Sequence, residues 1–145
     1  MKVYTIGFTQ KSAQRFFELL RNAHVKRVVD VRLNNTGQLA GFSKHDDLIF
    51  FLRELGGINY VHIPELAPTK DILDAYKKHK GSWEVYEQEF LSLMEKRRID
   101  ETVARDVIEQ GCLLCSEHKP HHCHRRLVVD YLEKKWGALD RTDLV

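Results

Sequence analysis

The sequence predicts an α/β protein of three layers, with helices on both faces of a mostly parallel sheet of about four strands. Short β-prone runs alternate with longer segments whose apolar residues recur at helical spacing, which is typical of strand–helix–strand units. Neither an internal repeat nor a linker-like change in composition divides the chain. Its 145 residues, 43% of them hydrophobic, are enough for one domain with its own core. We therefore expect a single domain over residues 1–136 and a C-terminal tail over residues 137–145.

The first half of the chain predicts three strands separated by two helices. Short β-prone runs, each ended by glycine, a polar loop or proline, are expected as strands at residues 2–6, 27–31 and 58–63. Ser12 is a suitable N-cap for the first helix and Ser43 for the second. The pair Gly56-Gly57 is expected to end that second helix.

The second half predicts four helices and one more strand. Thr69 is expected to cap a short helix, and Trp83 begins the apolar face of a longer one. Asp100 is expected to cap a third helix that continues to Ile108. The apolar run at residues 111–115 predicts the fourth strand, in which Cys112 should fill the core as a small hydrophobic residue. After a loop, the last helix carries apolar residues up to position 136.

Composition and charge exclude several classes of protein. With 23 basic and 21 acidic residues the formal charge is +2, so no whole-molecule field favours nucleic acid or an anionic membrane surface. No apolar run approaches the roughly 20 residues of a membrane span, and the N-terminal residues do not resemble a signal peptide. Three cysteines, an odd number, argue against a disulfide scaffold. We expect a reduced, cytoplasmic protein with no membrane partner.

Polar and reactive residues follow the predicted strands. In open parallel sheets, ligands bind outside the carboxyl ends of the strands, so these residues should meet at one edge of the sheet. In chain order they are Gly7 and Thr9 after the first strand, Asp30 and Arg32 after the second, His62 and Glu65 after the third, Cys115 and Glu117 after the fourth, and Cys123, His124 and Arg125 at the start of the last helix. This edge is the predicted site.

The segment 114–126 is compatible with three kinds of chemistry. A helix N-terminus next to His124 and Arg125 favours a phosphate or carboxylate. The same environment lowers the pKa of a thiol, so Cys123 could be a nucleophile. Cys115, Cys123 and neighbouring histidines could instead bind zinc or another soft metal, although the spacing of the two thiols matches no common zinc motif.

Two carboxylates of the predicted site also have structural interpretations. Asp30 directly follows an apolar strand, so it needs a partner, and Arg32 is the nearest candidate. Glu117 could form an ion pair with Arg125 that only shapes the loop. Phosphate loops, dinucleotide-binding glycine motifs and nucleophile elbows are lacking in the sequence, so nothing in it supports a kinase-like, dinucleotide-dependent or α/β-hydrolase function.

Four motifs occur in an order that resembles the family named domain of unknown function 488. They are Tyr4-Thr5-Ile6-Gly7, Asp30-Val31-Arg32, Phe42-Ser43-Lys44, and the long motif Leu114-Cys115-x-Glu117-x-x-Pro120-x-x-Cys123-His124-Arg125. The resemblance covers residues 3–132. The sequence departs from the family pattern in the first two loops, for instance at Phe8-Thr9. The resemblance implies the fold and the location of the site, and no reaction.

Our preferred hypothesis is a small enzyme that binds a phosphate-bearing or nucleotide-like substrate, including one within nucleic acid. Arg32, His124 and Arg125 would bind the anion, helped by Gly7, Thr9 and Cys115. Asp30 and Glu117 would be the acid/base groups, and Cys123 a nucleophile or a helix-cap thiol. One alternative is a metal-binding or thiol-redox module that uses Cys115 and Cys123. Another is a non-catalytic nucleic-acid-binding protein that uses the basic clusters at residues 77–80 and 96–98. The sequence assigns neither a cofactor nor an oligomeric state.

Overall fold

A computed structural model describes residues 1–36, 38–117 and 120–145, and residues 38–40 are described by their backbone. Gly37, His118 and Lys119 lie outside the described residues. Within this part of the chain, five strands form one sheet in the order β3-β2-β4-β1-β5, and every neighbouring pair is parallel. The strands are β1 (Lys2–Gly7), β2 (Arg27–Asp30), β3 (Asn59–His62), β4 (Gly111–Cys115) and β5 (Asp140–Leu144). The predicted fold class is confirmed, with one strand more than expected.

The additional strand lies where the sequence analysis expected a tail. β5 pairs with β1 along its whole length, from Asp140 opposite Lys2 to Leu144 opposite Ile6. Thr5 also donates a side-chain hydrogen bond to Asp143. The segment Asp-Arg-Thr-Asp-Leu contains one apolar residue, so it carries no alternating pattern. Such polar side chains are typical of an edge strand, where they discourage pairing with other chains.

The helices follow the predicted alternation. They are α1 (Ala13–Asn22), α2 (His45–Gly56), α3 (Lys70–Lys77), α4 (Trp83–Lys96), α5 (Ile99–Thr102), α6 (Arg105–Ile108) and α7 (His124–Trp136), with short 3-10 segments at Gln38–Ser43 and Pro64–Leu66. Ser12, Thr69 and Ser82 cap their helices through side-chain oxygens that accept from the backbone three residues on. None of the helices in the described ranges is long and apolar enough to cross a membrane.

Two details of the helices differ from the sequence-based expectations. Ser43 does not cap α2: Lys44 is the N-cap residue, and the Ser43 hydroxyl accepts a hydrogen bond from Arg32 instead. The single helix expected from Asp100 to Ile108 consists of α5 and α6. They are separated because Val103 and Ala104 have extended backbone conformations.

The core consists of one apolar cluster on each face of the sheet. β4 contributes to both because its side chains alternate: Leu113 and Cys115 pack with α4 and α7, whereas Cys112 and Leu114 pack with α1 and α2. Cys112 is fully buried and free, as predicted. Cys115 therefore ends β4 on the face of the sheet that carries α7, where it meets the loop before that helix.

Candidate functional site

A cavity of about 210 Å³ lies at the carboxyl ends of β2 and β4. Its wall combines the segment Arg32–Asn34 after β2, the segment Cys115–Glu117 after β4, and the residues His122–His124 at the start of α7. The side chains of α3 and α4 close the other side. Five of the predicted site residues line this cavity: Arg32, Cys115, Glu117, Cys123 and His124. Gly7, Thr9, Asp30 and Arg125 are outside the described lining, and each contacts a residue that belongs to it. His62 and Glu65 are also outside this lining.

Cys115, Cys123 and His124 form a cluster at the wall of the cavity. The structure joins the two sulfur atoms in a disulfide, although the sequence analysis expected reduced thiols. Both cysteines are buried, with exposures of 1% and 4%. One potential ligand atom from each of the three residues lies within 4.8 Å of the other two. Within the described part of the chain, these three residues are the set that could hold a metal ion.

The orientation of the His124 ring is fixed by a backbone group. Its Nε2 atom forms a hydrogen bond with the carbonyl oxygen of Val31, at the end of β2. Because a carbonyl can only accept, Nε2 carries the proton, and Nδ1 of the neutral ring has a free lone pair. Burial lowers the pKa of His124 to about 4, and the positive charge of Arg125 acts in the same direction. The ring is therefore neutral at pH 7, the form that binds metals.

The guanidinium group of Arg125 lies next to the sulfur of Cys115. Arg125 is fully buried, and its Nη1 atom donates to Cys115 Sγ at 3.1 Å and to the carbonyl oxygen of Glu117. Burial lowers the pKa of Arg125 to about 10, which leaves the group charged at neutral pH. A positive charge at this distance stabilises the thiolate form of a cysteine.

Gly7 leaves the space that this arrangement needs. A Cβ atom at position 7 would lie 1.5 Å from the carbonyl oxygen of Glu117 and 2.9 Å from Arg125 Nη1. Because a backbone atom stands in the way, a larger residue could be accommodated only by moving the loop after β4. Gly7 therefore contributes to the site by letting β1 and the loop after β4 pack closely against each other.

Asp30 and Arg32 form a buried ion pair. Arg32 donates from Nε and Nη2 to the two carboxylate oxygens of Asp30, both at 2.8 Å, and its Nη atoms also donate to the hydroxyl and carbonyl of Ser43. Tyr60 donates its hydroxyl to Asp30 at 2.6 Å, and Asn35 donates its amide. The side chains of Asp30 and Arg32 are 0% and 2% exposed. This geometry agrees with the structural interpretation of Asp30, as the anchor of Arg32.

The same partners control the ionisation of Asp30. Burial alone would raise the pKa of Asp30, but the hydrogen bonds and charge of Arg32, together with the Tyr60 hydroxyl, outweigh it and lower the pKa below its usual value. Asp30 therefore remains a carboxylate at neutral pH. Burial and the neighbouring Asp30 charge raise the pKa of Tyr60, so that Tyr60 stays a hydrogen-bond donor.

A family model described as Domain of unknown function DUF488 matches residues 12–132 of the chain. The chain belongs to this family. The inferred family is thus confirmed over residues 12–132, which contain three of the four motifs and the whole cluster of Cys115, Cys123 and His124. Neither a curated protein nor a solved structure matches the chain. Any function of this DUF488 domain therefore has to be argued from its own residues.

Two further contacts connect the loops around the cavity of the DUF488 domain. The Thr9 hydroxyl and backbone N–H both donate to the carbonyl oxygen of Ser116, at 2.6 and 3.2 Å. The carboxylate of Glu117 pairs with Lys77 Nζ at 2.8 Å, across the cavity mouth. Glu117 therefore meets Arg125 through its backbone carbonyl, and not through the carboxylate ion pair that the sequence suggested. Both of these side chains at the mouth are about half exposed, which leaves Glu117 within reach of solvent.

One wall of the DUF488 cavity comes from helices and could not be predicted from the ends of the strands. Tyr76, Lys77 and Tyr86 belong to α3 and α4, and they line the side opposite the strands. The three rings of Tyr76, Trp83 and Tyr86 contact one another, and Trp83 stacks on His122 with 4.7 Å between ring centroids. This contact positions the loop before α7. Aromatic residues at helical spacing predicted a core face, and the sequence held no signal that their edge would reach the site.

Proposed function

We propose that this protein is a metal-binding module whose centre consists of Cys115, Cys123 and His124, with zinc as the metal that fits best. A metal-binding module that uses Cys115 and Cys123 was one of the alternatives suggested by the sequence. His124 is now added as a third ligand. The observation that carries the proposal is the clustering of three potential ligand atoms within 4.8 Å at the wall of a cavity. Two thiolates and a neutral imidazole are ligands that zinc prefers.

The spacing of the two cysteines supports a shared metal. Two thiolates at about 2.3 Å from a tetrahedral zinc lie about 3.8 Å apart. The Cα atoms of Cys115 and Cys123 are 7.5 Å apart, so their side chains can reach such positions without a shift of β4 or α7. The disulfide is the oxidised form of the same two residues, and metal binding requires the reduced form.

The surroundings of the cluster also suit a metal site. Metal-binding histidines usually donate their second ring N–H to a carboxylate or a carbonyl, as His124 does to Val31. The cationic Arg125 donates to Cys115 Sγ, a contact that would balance the negative charge of a metal-bound sulfur. Three protein ligands leave one position of a tetrahedral metal open, which is typical of catalytic rather than structural zinc. The three residues line the cavity, so a small molecule in the cavity would lie next to the metal.

The positions of the other candidate residues favour this function over a phosphate site. Both arginines of the preferred hypothesis are buried: Arg32 donates to Asp30 and Ser43, and Arg125 Nη1 donates to Cys115 and Glu117. Glu117, which lines the cavity, is better placed than Asp30 to transfer a proton to or from a bound molecule. A bound zinc would add the ability to polarise a carbonyl or to lower the pKa of a water molecule.

Titration of the protein, purified without an affinity tag and kept reduced, with zinc in competition with a chromophoric chelator tests this proposal. We expect one zinc ion per chain. Replacement of Cys115, Cys123 or His124 by alanine should weaken binding by more than the roughly 10–100-fold effect typical of residues around a metal site. Cys112→Ala is the matched control and should bind zinc as the wild type does, because Cys112 lies on the opposite face of β4. Equal affinity in all four variants, or no binding by the reduced wild type, would contradict the proposal.

A further inference from the structure

We propose that oxidation controls this centre: a small peroxide converts Cys115 and Cys123 into a disulfide and thereby releases the metal. This inference rests on the proposed function and adds its regulation. The two sulfur atoms that would bind the metal are the same two that the structure joins. The metal-bound and disulfide forms are therefore mutually exclusive, because a disulfide has lost the thiolate charges that bind zinc. His124 alone would remain as a ligand.

The oxidation can be written as two balanced steps. The thiolate of one cysteine attacks an oxygen of hydrogen peroxide, the O–O bond breaks, and hydroxide leaves, so that a sulfenic acid remains on that cysteine. The second thiolate then attacks the sulfenic sulfur, forms the S–S bond and displaces a second hydroxide. The sulfur atoms lose two electrons in total, the peroxide gains them, and two protons from solvent convert the hydroxides into water.

The geometry assigns the first step to Cys115. Its sulfur accepts a hydrogen bond from the cationic guanidinium of Arg125, with 3.1 Å between Nη1 and Sγ, and a cationic donor beside a sulfur promotes its attack as a nucleophile. Cys123, the N-cap residue of α7, then acts as the resolving cysteine. Both line the cavity, so a molecule as small as hydrogen peroxide can reach them although they are nearly buried.

The third cysteine does not compete in this reaction. Cys112 precedes Cys115 by three residues in β4, but it packs in the apolar cluster with α1 and α2. It is fully buried, and burial raises the pKa of its thiol, which keeps it protonated and unreactive. Oxidation should therefore consume two of the 3 thiols in the chain.

The test is to treat the zinc-loaded protein with hydrogen peroxide while a chromophoric chelator reports free zinc. We expect release of one zinc ion per chain in parallel with the loss of two thiols, and recovery of both after reduction with dithiothreitol. Peptide mapping should identify a Cys115–Cys123 link, and Cys112→Ala should behave as the wild type. A sulfenic-acid trapping reagent should label Cys115 in Cys123→Ser at least several-fold faster than Cys123 in Cys115→Ser.

The possible outcomes separate the two proposals. If the reduced protein binds zinc but peroxide neither releases it nor consumes thiols, the redox control is wrong and the metal site stands. Release that accompanies irreversible oxidation, or a link that involves Cys112, also overturns the redox control. Faster labelling of Cys123 would overturn the order of the two steps. If the reduced protein binds no zinc, the proposed function fails and the control of metal release fails with it.

Discussion

Asp30 and Arg32 show how a buried pair of side chains can order a site without belonging to its surface. Arg32 uses its guanidinium on Asp30 and Ser43, and its backbone carbonyl accepts from His62 at 2.9 Å. The pair therefore connects β2, β3 and the segment before α2. Charges taken out of water are costly unless they are matched, and here each oxygen of Asp30 has at least one donor. Removal of one partner should consequently lower the free energy of unfolding by more than the intact pair contributes to it, because a buried charge is then left unmatched.

The change Asp30→Asn tests this residue-scale argument. It leaves the buried guanidinium of Arg32 without its counter-charge, so the free energy of unfolding should fall by about 3 kcal/mol. Tyr60→Phe is the matched control, because it removes one hydrogen bond to the same carboxylate and should cost about 1 kcal/mol. Urea denaturation at neutral pH measures both. If both changes lowered the free energy of unfolding equally, the ion pair with Arg32 would not be the main contribution of Asp30 to stability.

The pH dependence of the same comparison follows from the direction of the Asp30 pKa shift. Because the pKa of Asp30 is lower in the folded protein than the ordinary value of about 3.9, the pair stabilises the fold fully above that value. The contribution is lost as the pH falls from there through the folded pKa. The difference between wild type and Asp30→Asn should thus be constant from pH 8 to pH 5 and shrink below about pH 4. A difference that grows on acidification would contradict this ionisation state.

At the scale of elements, the chain encodes its central strands and long helices more clearly than its edges. β1, β2 and β4 are buried on both faces, so their central residues are mostly apolar and the strands can be recognised from the sequence. β5 packs at the edge of the sheet and is mostly polar, so its pairing depends on β1 rather than on its own pattern. The same difference decides which residues of the site could be predicted. Residues that follow strands could be predicted, whereas the wall from α3 and α4 depends on how the helices pack.

The change Leu144→Ala tests whether β5 is a stable part of the sheet. Leu144 is 9% exposed and packs in the apolar cluster with α1 and α2, so its truncation should cost about 2 kcal/mol. Val145→Ala is the control next to it, because Val145 is 48% exposed and should have little effect. Thermal unfolding followed by circular dichroism compares the two. A melting temperature of Leu144→Ala equal to that of Val145→Ala would instead support the tail that the sequence analysis expected.

At the scale of the whole molecule, β1 and the loop after β4 depend on each other at Gly7. The backbone of β1 approaches the Glu117 carbonyl so closely that a single methyl group at position 7 would displace it, and Arg125 donates to that same carbonyl. Glu117 follows Cys115 by two residues, so a displaced Glu117 carbonyl would shift the end of β4 and change the distance between the proposed ligands. A residue that offers no ligand atom, although it is the neighbour of Cys115 in the sheet, should in this way control the metal site.

Gly7→Ala should weaken zinc binding of the reduced protein by about 10-fold or more, the size of effect that residues around a metal site have on affinity. The control is Gly57→Ala, since nothing lies within 4 Å of a Cβ atom there and its positive φ of 60° makes the change costly for stability alone. Gly57→Ala should lower the melting temperature and leave zinc affinity unchanged. Chelator competition and thermal unfolding on both variants separate the two effects. A folded Gly7→Ala with wild-type affinity would show that the loop adjusts freely, and that close packing against β1 does not set the geometry of the cluster.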